Sequence, residues 1–141
     1  MDDPAEMRGR AAAARVARLG TTEAGGRPHL VPICYVLDGD VLYTAVDEKP
    51  KRSKRLKRLA NIRAHAGVTV LVDHYEEDWS RLWWIRLRGN GRVIEEGPER
   101  ERALSLLAEK YAQYRAQPPS GPVIAVEVLE WRAWAAAPVS D

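Results

Sequence analysis

The chain has a single cysteine, Cys34, among its 141 residues, which excludes both an internal disulfide and a zinc site built from cysteines. It also has no apolar run approaching the roughly 18 residues needed to cross a bilayer. The alanine- and arginine-rich stretch from Met1 to Leu19 lacks the uninterrupted apolar segment of a secretory signal. These absences lead to the expectation of a cytoplasmic protein with no membrane partner. Low-complexity tracts and internal repeats are missing too, so disorder and solenoid architectures are excluded. No nucleophile–base triad or acid–base dyad is visible. His74, with Asp73, Glu76, Glu77 and Asp78 around it, matches no standard ligand spacing, and no metal is expected. Cys34 has neither a helix start nor a base beside it in sequence, and its plain reading is a small buried strand residue.

What is present is an ordinary globular composition, 45% apolar and 30% charged, at a length suited to one domain with one core. A single domain over residues 1–141 is expected, with a helical lead-in over about residues 5–18. The net charge of +2 conceals a concentration. Lys49, Lys51, Arg52, Lys54, Arg55, Lys57 and Arg58 put seven cations and no acid into ten residues, so the rest of the chain sums to −5.

Ala24–Gly25–Gly26–Arg27 signals a turn. Pro28 to Leu37 and Val41 to Val46 read as strands joined by Asp38–Gly39–Asp40, a strong hairpin signal. Pro32 inside the first of these requires an edge or a bulge, because proline has no N–H for a ladder. From Lys51 to Ala66 the spacing turns helical, with Leu56, Leu59, Ala60 and Ile62 or Arg63 on a narrow apolar face. Val68 to Val72 reads as a buried strand, and Asp73 to Arg81 as a polar loop. Leu82 to Arg88 alternates, with Leu82, Trp84, Arg86 and Arg88 on one side. Gly89–Asn90–Gly91 is then either a turn or a bulge. Pro98 to Tyr114 is an amphipathic helix stopped by Pro118–Pro119, and Val123 to Trp134 is a long alternating strand. Six or seven short strands with hairpin signals and two main helices favour a mainly β (α+β) barrel over a doubly wound sheet.

A cationic helix opening just after a strand supplies side-chain charge, free N–H groups and a favourable dipole end together. It therefore suits a phosphate or carboxylate, with Lys49, Lys51, Arg52, Ser53 and Lys54 nearest the helix start. The plainer alternative is a solvated basic face.

Several stretches together resemble a known superfamily. They are Thr21–Thr22, the run from Gly25 to Pro32, the strand pair around Asp38–Gly39–Asp40, Leu42–Tyr43–Thr44, the basic helix to Ile62, and the segment from Val72 to Trp84. The arrangement, over about Ala14 to Trp134, resembles the pyridoxamine-phosphate-oxidase-like split-barrel superfamily. Within it, the resemblance is to members described as probable F420-dependent enzymes.

The resemblance implies a homodimer of FMN-binding-type split barrels with a flavin-like ring in a groove between subunits. Val31, Pro32 and Ile33 would flank the ring, Tyr43 and Thr44 would line the groove, and Lys49, Lys51, Arg52, Lys54 and Lys57 are tail candidates. Two departures stand out. His65–Ala66 occupy the place of a common Asp-Pro or Asn-Pro, and the end Trp131–Arg132–Ala133–Trp134–Ala135 lacks the Arg-Leu-x-Pro type terminus of the true oxidases. Vitamin B6 oxidation is therefore not expected.

Seven clustered cations suit the phospholactyl-oligoglutamate tail of F420 better than the single phosphate of FMN. The implied function is hydride transfer between F420 and a small organic substrate. The alternatives are an FMN-dependent relative or a non-catalytic flavin, deazaflavin or tetrapyrrole binder. The cofactor performs such chemistry, so no catalytic residue is assigned. Tyr35, Tyr43 and His29 are proton-donor candidates, against the plainer reading of core tyrosines and an exposed turn histidine. Trp79, Trp83 and Trp84 are expected to pack in the core or at the subunit interface, with a place against the ring as the alternative. The acidic remainder of the chain disfavours nucleic acid.

Overall fold

The structure, a computed structural model, describes residues 3–46 and 52–137, with the side chains of 52–56 excepted. Its elements are α1 (Pro4–Ala13), β1 (Ala17–Thr22), β2 (Pro28–Ile33), β3 (Val36–Asp38), β4 (Val41–Ala45), α2 (Arg52–Ala64), β5 (Gly67–His74), β6 (Trp83–Ile94), α3 (Pro98–Lys110), α4 (Ala112–Ala116) and β7 (Val123–Ala135). The strands form one antiparallel sheet in the order β2-β1-β5-β6-β7-β4-β3. The sheet curls around a core without closing, as a split barrel does.

Four expectations are corrected. The helical lead-in ends at Ala13, not near residue 18, because Ala14 is already extended and Ala17 pairs with Ile33 in the β1–β2 ladder. Asp3 caps its start, accepting from the Ala5 N–H at 3.0 Å.

The run from Pro28 to Leu37 is two strands rather than one. β2 pairs with β1 at one sheet edge, while β3 pairs with β4 at the other, and the chain crosses between them at Cys34 and Tyr35. Pro32 thus lies on an edge strand, as its missing N–H requires. The Asp38–Gly39–Asp40 hairpin forms between β3 and β4, with Gly39 at φ +62°. Cys34, in the crossing, is exposed rather than buried.

The helix expected to reach Tyr114 breaks at Tyr111, whose backbone is extended. The Tyr111 hydroxyl accepts from the Tyr35 N–H at 3.0 Å and lies 3.0 Å from both the Tyr35 and Arg15 carbonyls. Drawing the ring in to the crossing ends α3 there.

Gly89–Asn90–Gly91 is not a turn: it lies inside a continuous β6, with Gly89 opposite a bulge in β7. The β6–β7 register shifts between Arg88 and Gly89, which leaves Leu129 as the extra residue. A Cβ on Gly89 would lie 1.9 Å from the Glu127 carbonyl oxygen, so glycine is required by close approach.

Two clusters fill the interior. The larger sits within the curl: Leu19, Ile33, Tyr35, Leu42, Val70, Val72, Ile85, Leu87, Ile124 and Val126. The second packs α3, through Ala103 and Leu107, against Tyr43, Ala45, Val123 and Ala125 on the opposite face of β4 and β7. Both faces are therefore covered around the start of β7, which explains its run of consecutive buried residues. The outer face of β2, β1, β5, β6 and the end of β7 has no such cover. Leu30 is 70% exposed there, Leu129 72% and Trp134 44%. Among the described residues, no helix is long and apolar enough to cross a membrane.

Candidate functional site

The basic helix is anchored by its apolar side. Leu59 and Ile62 are buried, and Asn61, also buried, donates to Thr21 Oγ1 at 3.0 Å. Ile62 packs on Gly91, where any added Cβ would meet Ile62 Cγ2 at 3.2 Å. This fixes α2 across the Gly67 and Gly91 ends of β5 and β6, and the Gly91 N–H donates to the Ala66 carbonyl at 2.7 Å.

Of the expected tail residues, Lys49 and Lys51 lie outside the described residues. Arg52 and Lys54 fall in the first turns of α2, with side chains outside the described set. Lys57 is exposed and pairs with Glu23 at 3.1 Å. Arg58 behaves differently. It is half-buried, its Nε has no hydrogen-bond partner, and burial lowers its pKa. An unsatisfied guanidinium N–H on this helix fits an anion arriving from outside the chain.

The expected ring residues divide. Pro32 is exposed on the outer face of β2. Val31 points inward and packs against the core, and Ile33 is buried within it. Tyr43 and Thr44 point to opposite faces of β4. The Tyr43 hydroxyl donates to Glu99 at 2.7 Å under α3, and Thr44 Oγ1 donates to the Cys34 carbonyl at 2.7 Å. Tyr35 is fully buried, its hydroxyl bonded to the Ala11 carbonyl, and burial raises its pKa. Both tyrosines thus follow the plainer core reading. His29 is half-buried, with Nδ1 unpartnered.

The outer sheet face gathers residues that the sequence pattern does not assign to a site. Ladder register sets its side chains in rows: Pro32, Arg18, Leu71, Arg86 and Arg132 across one line, then Asp73, Trp84 and Trp134 across the next. A cavity of about 400 Å³ opens here, lined by Leu71, Asp73, Trp83, Trp84, Arg86 and Trp134 among others. That volume lies in the range of small-molecule sites, and apolar walls with few polar groups are their usual make-up.

Most charges on this face are already paired: Arg18 with Asp73 at 3.3 Å and Arg132 with Glu130 at 3.3 Å. Arg86 has no ion pair among the described residues. Its guanidinium carbon lies 5.5 Å from the Trp84 ring centroid, and its Nε is buried without a partner. The alternation of Leu82 to Arg88 contains the signal for this face. What sequence does not contain is which side of β6 the helices leave open.

A second, more polar cavity of about 530 Å³ lies beyond Trp83, lined by Arg10, His74, Glu76, Asp78, Ser80 and Arg81 among others. The connection after β5 is held by Glu76, which meets His74 Nε2 at 2.5 Å and Arg81 Nε at 3.1 Å. Among the described residues, no three metal-ligating side chains converge.

The fold is shared with solved structures. A conserved hypothetical protein of Mycobacterium tuberculosis superposes with a TM-score of 0.78 at 16% identity, covering 96% of this chain and 86% of its own. A FAD-binding protein of Mesorhizobium loti gives 0.63 at 20% identity, covering 93% of each chain. A heme-binding protein of Mycobacterium smegmatis gives 0.69 at 18%, covering 93% of this chain and 57% of its own. At these identities the likeness is one of fold. No curated protein matches the sequence. The model of the pyridoxamine 5'-phosphate oxidase family matches residues 4–135, nearly the whole chain, and the protein belongs to that family.

Proposed function

We propose that the protein is an F420-dependent oxidoreductase acting as a homodimer. The tail of F420 would meet α2 and its deazaflavin ring would lie in a groove closed by the partner's outer sheet face. The observation that carries this reading is the aromatic-walled cavity on the uncovered face, with Arg86 Nε unsatisfied inside it. The β5–β6 hairpin supports a two-subunit site. Its Gly67 end meets α2 and its His74 end holds the cavity, so the two regions stand roughly 20 Å apart along one chain at the usual rise per strand residue. A two-fold partner placing its cavity near this chain's α2 would bring them together.

Bound F420 supplies a two-electron hydride donor to a small organic substrate. The chain's own contribution is to hold and orient. Lys49, Lys51, Arg52, Lys54 and Lys57 meet the anionic tail, Arg58 Nε takes a further oxygen, and Pro32, with the backbone of Val31 and Ile33, borders the ring. Tyr43 and Thr44 support that edge from β4, their own hydrogen bonds being satisfied within the chain. A second reading, FMN-dependent chemistry or non-catalytic flavin or tetrapyrrole binding, is supported by the FAD-binding and heme-binding names among similar folds.

Titration of the purified protein with F420, FMN, FAD and hemin at low and moderate salt separates these readings. F420 is expected to bind tightest. Replacing Lys49, Lys51 and Lys54 together by alanine should weaken it by about tenfold for each cation removed, the equivalent of about 1.4 kcal/mol each. Tighter binding of FMN or hemin at both salt levels would overturn the F420 assignment.

A further inference from the structure

The polar cavity beyond Trp83 has no part in the function proposed above. It encloses about 530 Å³ and shares His74, Leu82 and Trp83 with the cavity on the outer sheet face, so the two adjoin across one wall. That volume is enough for a small organic molecule. Arg10 reaches the cavity from the last turn of α1, and Ala135 borders it from the end of β7.

The charges around this cavity are matched except at Arg10. Glu76 meets His74 Nε2 at 2.5 Å and Arg81 Nε at 3.1 Å, and those hydrogen bonds hold its carboxyl below the usual carboxylate range. Asp78 folds back on its own loop, its Oδ1 accepting from the Ser80 N–H at 3.1 Å and from Ser80 Oγ at 2.7 Å. Among the described residues, no carboxylate pairs with Arg10 and no acceptor meets its guanidinium. The guanidinium carbon lies 5.3 Å from the Trp83 ring centroid, and His74 stacks on the same indole with centroids 6.1 Å apart and 16° between the planes. Both supports are fixed. Trp83 packs against the core, and Ala11, next to Arg10, is buried with its carbonyl bonded to the Tyr35 hydroxyl. An arginine held on an aromatic wall with its N–H groups unspent suits a carboxylate arriving from solution.

We propose that this cavity binds a small organic monocarboxylate, with the carboxylate on Arg10 and the apolar body against Leu82, Trp83 and Ala135. A second carboxylate on the same molecule would face Glu76 and Asp78, and like charge disfavours it. The role of such an acid as substrate rests on the oxidoreductase reading above: it would lie across Trp83 and His74 from the cavity that takes the ring, and Arg10 would select it by charge. The binding itself needs no cofactor. Failure of F420 to bind would therefore refute the oxidoreductase reading without bearing on this site.

The test uses the full chain, labelled with nitrogen-15 and without added cofactor, and benzoate as the probe at constant ionic strength. The indole N–H signal of Trp83, assigned by its loss in Trp83→Phe, is followed as benzoate is added, with benzamide as the neutral counterpart. Benzoate is expected to shift it saturably, with a midpoint at about 1 mM. Benzamide should bind about tenfold or more weakly, the loss expected for one charge-assisted contact. Arg10→Gln should remove that difference, and Arg10→Lys, which keeps the charge, should retain part of it. Dispersed backbone amide signals confirm that each variant is folded. Terephthalate, with its second carboxylate, should bind more weakly than benzoate, and equal or tighter binding would overturn the single-anion assignment. The proposal also fails if benzoate produces no saturable shift up to about 50 mM, well past the expected midpoint, or if benzamide binds as tightly. Loss of benzoate binding in Arg86→Gln but not in Arg10→Gln would place the acid in the other cavity and overturn it as well.

Discussion

Replacing Gly89 by alanine tests the architecture at its tightest point. The added Cβ would stand 1.9 Å from the Glu127 carbonyl oxygen, 2.8 Å from its carbonyl carbon and 3.0 Å from Val128 Cα. All three are backbone atoms, so no side-chain rotation relieves the clash. β6 and β7 would have to part by roughly 1 Å or more, in an interior packed as densely as an organic crystal. The flanking residues Leu87, Val126 and Val128 are buried. Overpacking of this kind costs about 1–3 kcal/mol, and one or two weakened ladder hydrogen bonds add about 1 kcal/mol each. The expected loss is about 3–4 kcal/mol, a large part of the 5–15 kcal/mol typical of a whole domain. Urea unfolding followed by circular dichroism should show a much lower midpoint. The melting temperature should fall by about 10 °C, at roughly 2–4 °C per kcal/mol for a chain of this size. Gly91→Ala is the control, because its Cβ meets only the Ile62 side chain, at 3.2 Å. If Gly89→Ala unfolds within about 1 kcal/mol of the native protein, below the range for overpacking, the bulge is not the constraint described.

Other consequences are open to measurement. Tyr111→Phe removes the hydroxyl that serves the Tyr35 N–H and the Tyr35 and Arg15 carbonyls. Because buried groups are left unpaired, a loss of about 2–3 kcal/mol is expected in urea unfolding. Glu99 is held down to about 2 by hydrogen bonds from Arg92 and then Tyr43. Its folded value lies below its unfolded one, so its contribution is complete above the ordinary carboxylate range and disappears as pH falls from about 4.5 to about 2. The urea midpoint of Glu99→Gln should therefore change less than that of the native protein across that window, and parallel curves would contradict the network. Leu30→Glu with Leu71→Glu should convert a dimer to a folded monomer by light scattering. A native protein that is already monomeric would refute the interface.

Much of this was legible in sequence because it depends on local chemistry. The Asp38–Gly39–Asp40 hairpin, the edge position of Pro32 and the helix behind Lys51 follow from turn geometry, a missing N–H and apolar spacing, each contained within a few residues. The concentration of positive charge between Lys49 and Arg58 is likewise a property of the chain itself.

What only tertiary structure decided concerns partners distant in sequence. Pro28 to Leu37 is continuous in pattern, yet β1 and β4 claim its two halves at opposite sheet edges, which exposes Cys34 and buries Tyr35. Glycine at 89 reads equally as turn or bulge until β7 arrives against it. The alternation of Leu82 to Arg88 defines two faces, but the uncovered one is known only once α3 is seen to pack on β4 and the start of β7, leaving Trp84 and Arg86 open. Periodicity divides a strand into sides, and only the packing of remote elements determines which side meets solvent, a ligand or another subunit.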